Sequence, residues 1–129
     1  FDKSDLFRNR NYIINFCKKY ENKDIKIIEI HNRPEYISYI KKYFPNTKIK
    51  IIFHNDPLSL RGSTSQSERE NIINDCSHTV FISSWIQQRF FSGFKNVNLA
   101  LTKIIPHGVK KAIKVDFKKK KKIFYLLEN

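Results

Sequence analysis

The chain has 129 residues, 40% apolar and 14% aromatic, which suffices for one packed domain or for part of a larger one. No apolar run approaches the length of a membrane span and no signal-peptide pattern is read; the first residue is not Met, so the natural start is expected upstream. Net charge is +13, from 25 basic and 12 acidic residues, and more than half of that excess, +7, sits in residues 101–129.

The basic residues are 19 Lys against six Arg, in a sequence where Asn and Ile are also abundant. That pattern fits compositional drift in an AT-rich genome. A nucleic-acid binder more often clusters Arg with aromatics and Gly on one face, so nucleic acid is disfavoured as a partner. A basic face for an anionic membrane surface or a phosphorylated substrate stays open. Cys17 and Cys76 form no CxxC pair and read as reduced, semi-buried thiols of a cytoplasmic protein.

In chain order, Tyr12, Ile13, Phe16, Cys17 and Tyr20 recur at helical spacing, which predicts an amphipathic helix over 11–20. Residues 25–30 read as a strand. Pro34 suits a first helical position, and Tyr36, Ile37, Tyr39, Ile40, Tyr43 and Phe44 form the apolar face of the helix that follows. Residues 49–53 are a second strand. Next comes a Ser-rich loop, 57–67, long enough to be a functional candidate. Ser67 and Glu70 match a capping box for a helix running to about Asp75. A strand over 79–82, a helix over 85–91 stopped near Gly93, and a short strand over 103–105 follow. Residues 118–122 are a lysine run, and 123–127 form one more apolar strand.

Alternation of this kind predicts an α/β fold, a Rossmann-like parallel sheet with flanking helices on both faces. The last strand has no helix after it, and its partners are expected elsewhere. Residues 1–109 are therefore taken as a partial Rossmann-like domain, and 110–129 as a linker and the first strand of a truncated second domain.

The chemistry-bearing residues gather at two strand ends. One strand runs into His31-Asn32-Arg33-Pro34 and the other into His54-Asn55-Asp56-Pro57. In open α/β sheets ligands sit just beyond the carboxyl ends of the strands, which places both imidazoles at that edge. A neutral imidazole can donate or accept a hydrogen bond. Asp56 is a candidate base or hydroxyl acceptor, with an Asx turn before Pro57 as the equal alternative. Arg33 and Arg61 are candidates for a phosphate or carboxylate, against surface ion pairing, and Gly62 would let backbone approach a ligand. Ser83 and Ser84 lie at a strand-to-helix step, where capping is favoured over anion binding. Trp85 reads as a core anchor. The histidines lack metal-site spacing, and no GxGxxG, GxxxxGK[ST] or GxSxG is present.

Five segments in order carry a resemblance: EIHNRPEY, IIFHNDP, LRGSTSQSER, FISSWI and KIIPHGV. Over about residues 25–109 the chain resembles the N-terminal domain of the GT-B glycosyltransferases of the retaining family 4 group, and is similar to bacterial cell-surface polysaccharide or lipopolysaccharide transferases. The resemblance implies two Rossmann-like domains with the active site between them, a nucleotide-sugar donor held mainly by the second, and a glycan or lipid-linked acceptor received by the first. It implies retention of configuration, no metal and no cofactor. It carries His54 over as the cleft histidine near the donor sugar, with Asp56 or Glu35 orienting the acceptor hydroxyl. His31, Asn32, Arg33, Glu35, Asn55, Arg61, Gly62, Ser83, Ser84 and Gly108 would line the cleft. Family members commonly show Asn where His107 stands and an acidic residue where Lys110 stands. The donor domain would follow Asn129, so the 129-residue chain alone is expected to be inactive. The expected location is cytoplasmic, with peripheral attachment to the inner membrane face left open. The competing readings are a non-catalytic basic binding module and an inert gene fragment.

Overall fold

In the computed structural model, residues 3–108 and 124–126 are described. Chain order is α1 (Lys3–Tyr20), β1 (Ile27–His31), a 3-10 turn (Pro34–Tyr36) leading into α2 (Ile37–Tyr43), β2 (Lys48–Phe53), a second 3-10 turn (Pro57–Ser59), α3 (Gln66–Asp75), β3 (His78–Phe81), α4 (Ser84–Phe90), β4 (Thr102–Ile104) and β5 (Phe124–Leu126). All strand pairs are parallel, in the order β4-β3-β2-β1-β5. This is an α/β, Rossmann-like arrangement.

From β1 to β4 each strand is laid on the same side of its predecessor. Right-handed crossovers then put α2, α3 and α4 on one face of the sheet. The packing agrees: one buried cluster joins Ile28 and Ile30 of β1, Ile49, Ile51 and Phe53 of β2 and Phe81 of β3 to Ile13 and Cys17 of α1, Ile37 and Ile40 of α2, Ile72 of α3, and Ile86 and Phe90 of α4. The expectation of helices on both faces is therefore corrected: among the described residues all four pack on one. Side chains alternate along a strand, so Glu29, His31, Lys50 and Ile52 point to the opposite face, where they are only partly buried.

The β2 and β3 ends are stiffened by Phe53, Phe81 and Phe90, whose ring centroids lie 5.2–5.9 Å apart. Such contacts add to the burial of three large side chains. This anchor lies directly beneath the start of the His54 segment.

Several local expectations are revised. Helix α1 begins at Lys3, eight residues before the predicted start, because only Ile13 and Cys17 must be fully buried and the earlier turns face solvent. The α3 cap is Ser65, not Ser67: its Oγ accepts the Glu68 backbone N–H at 3.2 Å and donates to Glu68 Oε1 at 3.0 Å. Two overlapping S-x-x-E frames exist there, and the helix takes the first. Both cysteines are fully buried and unbonded, and burial pushes the Cys17 thiol up to about 11 and that of Cys76 to about 12. Strand β5 pairs with β1, Ile28 opposite Phe124, and so has a partner in this sheet. The expected linker and lysine run, 110–122, lie outside the described residues.

Candidate functional site

The carboxyl edge of the sheet is built first by Asn32. It has φ 53°, the single non-glycine residue with positive φ among those described, and it is buried. Asn tolerates this left-handed conformation better than most residues. Its side-chain oxygen accepts the backbone N–H groups of His54 at 2.7 Å and Asn55 at 3.2 Å, while its own N–H donates to Ile52 O. Asn32 thus sews the end of β1 to the turn after β2, and sets His31 and His54 side by side.

The imidazoles then form a chain. His31 Nδ1 lies 2.8 Å from His54 Nε2, and His54 Nδ1 lies 2.9 Å from His107 Nε2. The rings are stacked, with centroids 5.1 and 4.9 Å apart. At the inner end His31 Nε2 is 2.8 Å from Glu29 Oε1, and Glu29 Oε2 accepts from Lys50 Nζ at 3.0 Å. Burial pushes the Glu29 carboxyl up, but the hydrogen bonds from Lys50 and His31 outweigh it and hold the group below the ordinary range. His107 is exposed at the outer end. The three rings run in line, and His54 uses both nitrogens on different neighbours, so they share no common point. Among the described residues no group of three or more His, Cys, Asp or Glu is placed to hold a metal ion.

Asp56 is engaged structurally. Its Oδ1 accepts the Leu58 N–H, and the carboxylate takes a bidentate pair from Arg89 Nε and Nη2 at 2.9–3.2 Å. Those Arg89 bonds, with the Leu58 N–H, hold the Asp56 carboxyl below the usual range, which makes it a weak base. Arg89 in turn lies over the Trp85 ring, 5.7 Å from its centroid. Trp85 is 55% exposed and is not the core anchor expected; Ile86 and Phe90 take the buried positions of α4. Ser83 caps α4, accepting the Ile86 N–H at 3.2 Å, as the sequence favoured, and Ser84 is exposed in its first turn.

A second group lies beside the second 3-10 turn. Glu35 sits between Arg33 and Arg61, at 3.7 and 3.6 Å, and burial raises its pKa despite both cations. Arg61, Gly62 and Glu35 line a cavity of about 470 Å³, with Leu6, Ser59, Thr64 and Glu68. Gly62 has φ +92°, and a Cβ there would come within 2.6 Å of the Glu35 backbone nitrogen. Its close approach is to this backbone, which locks loop 57–67 onto the turn after β1. Buried Arg69 completes the lock by donating to the carbonyls of Ser63, Thr64 and Ser92. Gly108 is exposed with no neighbour to crowd a Cβ.

The structure therefore brings His31, Asn32, His54 and Asn55 together, and none of them lines the Glu35–Arg61–Gly62 cavity. Its addition is His107, which the sequence marks only as a departure from a family pattern, and the Glu29–Lys50 pair behind His31. The signal for Glu29 was legible: Glu29 and His31 are two apart on one strand, hence on one face.

No protein-family model matches the chain. No solved structure matches it. Over 83 residues the chain is 30% identical to the Bacillus subtilis (strain 168) protein named "Putative glycosyltransferase YtcC", a match covering 64% of this chain and 20% of that protein. The matched stretch thus spans a fifth of that relative's length. Among the described residues no helix is long and apolar enough to cross a membrane.

Proposed function

We propose that this chain supplies the acceptor side of a retaining GT-B glycosyltransferase of the family 4 type. The substrates would be a nucleotide-sugar and a glycan or lipid-linked acceptor of the cell-surface polysaccharide or lipopolysaccharide kind, handled on the cytoplasmic side of the membrane. The observation that carries the reading is the position of His54, beyond the carboxyl end of a central parallel strand and hydrogen-bonded on both ring nitrogens. The similarity to a glycosyltransferase points the same way.

In this reading the protein's contribution is positional and electrostatic. Asn32 fixes the backbone of His54 and Asn55. His54, oriented by its two neighbours, contacts the donor sugar. The cavity beside Glu35 and Arg61 receives polar groups of the acceptor. A second domain holds the diphosphate. Asp56, tied to Arg89, positions α4 and is not the base.

The test is nucleotide-sugar turnover by the intact protein with and without His54→Ala. Turnover is expected to fall about a hundredfold or more while the unfolding midpoint moves little, because the ring is partly exposed. Unchanged turnover removes His54 from the site.

A further inference from the structure

The distances along the histidine chain restrict how many protons it can carry. An ionised Glu29 only accepts, so His31 Nε2 must donate to it. If His31 is neutral, its Nδ1 accepts, and His54 must donate from Nε2. His54 Nδ1 then accepts, and His107 must donate from Nε2, which leaves His107 Nδ1 as an acceptor at the exposed end. The neutral chain thus has one arrangement, with every N–H pointing toward Glu29. One added proton preserves every contact. A second would set N–H against N–H and break one.

We propose that His31, His54 and His107 form a single-proton relay, in which His107 Nδ1 takes the proton of a sugar-acceptor hydroxyl and the positive charge comes to rest on His31 beside Glu29. The proposal rests on the transferase reading and adds the path of the proton. In the step, the acceptor O–H bond breaks as its oxygen bonds to the anomeric carbon of the donor. The bond from that carbon to the diphosphate breaks, its electron pair leaves on the diphosphate oxygen, and the proton goes to His107 Nδ1. The His107 Nε2 proton then shifts to His54 Nδ1, and the His54 Nε2 proton to His31 Nδ1. His31 becomes the imidazolium, paired with Glu29 at 2.8 Å. His54 and His107 end neutral with their tautomers exchanged.

The proton stops at His31 because Glu29 is held ionised by Lys50 as well as by His31. On the flanking strands stand Tyr125 on β5, in register with Glu29, Lys48 on β2, in register with Ile27, His78 on β3, in register with Lys50, and Lys103 on β4, in register with Val80. In the turns after β1 and β2, Arg33 pairs with Glu35 and Asp56 with Arg89. Glu29 is the carboxylate hydrogen-bonded to His31, at the inner end of the chain.

The test is histidine side-chain 15N NMR of the intact protein, without substrate, titrated from neutral to acid pH. His54 and His107 are expected to exchange Nε2–H for Nδ1–H in the same step in which His31 becomes doubly protonated. Glu29→Gln, whose amide can donate as well as accept, should let the neutral chain run in either direction and so mix the starting tautomers of His54 and His107. Protonation of His107 alone, with His54 keeping its tautomer, overturns the relay. In the activity arm, His31→Gln should lower turnover about a hundredfold, the low end of general acid–base contributions, with the donor KM unchanged. Unchanged turnover overturns the catalytic role. Absence of transfer by the unaltered protein overturns the transferase reading, and with it the hydroxyl as proton source, whereas the NMR titration judges the relay itself.

Discussion

The side-chain oxygen of Asn32 accepts the backbone N–H of His54 at 2.7 Å, across the gap between the ends of two neighbouring parallel strands. No backbone ladder reaches this far past β2, so the side chain substitutes for it. The left-handed φ of 53° turns that oxygen toward both His54 and Asn55. Asn32→Ala therefore loses an acceptor for two N–H groups and also incurs backbone strain. We expect a loss of about 2–4 kcal/mol in urea unfolding. Asn32→Gly keeps the conformation and loses only the acceptor, so it should cost about 1–3 kcal/mol. Equal losses for the two variants would show that the backbone conformation carries no strain.

Asp56 and Arg89 give the fold an acid-sensitive joint. The Arg89 hydrogen bonds lower the Asp56 pKa from its ordinary value of 3.8. A depressed folded-state pKa contributes stability that is present above the unfolded value and lost as pH falls through the folded one. Asp56→Asn should therefore melt below the unaltered protein at neutral pH. The gap should close as pH drops below the usual aspartate range. A gap that stays constant down to low pH would mean that the pair's charge contributes nothing.

The opposite sign holds for Glu35. Burial raises its pKa, with Arg33 and Arg61 only partly opposing this. The fold favours the neutral carboxyl, so at neutral pH the buried charge is a cost. Glu35→Gln removes that charge and is expected to raise the melting temperature at neutral pH. The gain should shrink as acid protonates Glu35 in the unaltered protein. A fall in melting temperature at neutral pH would show that the two arginine pairs outweigh the burial.

The strands were legible because β-branched runs closed by His-Asn and Pro leave little choice of element or end, and the alternation of elements then leaves a parallel sheet. The one-sided packing was also latent in the order, since three crossovers stepping the same way must share a face, yet it depends on strand order, which no local pattern states. Trp85 was misread for a related reason. Helical spacing puts Ile86 and Phe90 on one stripe, which turns Trp85 and Arg89 outward together. His107 reaches His54 only because β4 lies two strands from β2 and its continuation folds back across β3. That meeting is a product of topology. The same holds for Arg69, whose carbonyl partners come from two segments, Ser63 and Thr64 in loop 57–67 and Ser92 after α4.

The three glycines rank themselves by what surrounds them. Gly62 needs φ +92° and faces fixed backbone, with Glu35 N at 2.6 Å and Glu35 Cα at 2.9 Å from an added Cβ. Gly93 also needs a positive φ, +85°, but its nearest atom is the Gln66 side-chain oxygen at 2.8 Å, which can swing away. Gly108 has no neighbour within 4 Å and no positive φ. Substitution to Ala should therefore cost about 3 kcal/mol or more at position 62, where strain and collision add, about 1–2 kcal/mol at 93, where strain stands alone, and close to nothing at 108. The collision at 62 pushes on the Glu35 turn, so that variant should also weaken protection of the Tyr36 and Ile37 amides, bonded to Arg33 O and Pro34 O, in hydrogen exchange, while the Gly93 variant leaves them unchanged. Equal losses at 62 and 93 would show that loop 57–67 yields to the new methyl group, and that it is not locked to the end of β1.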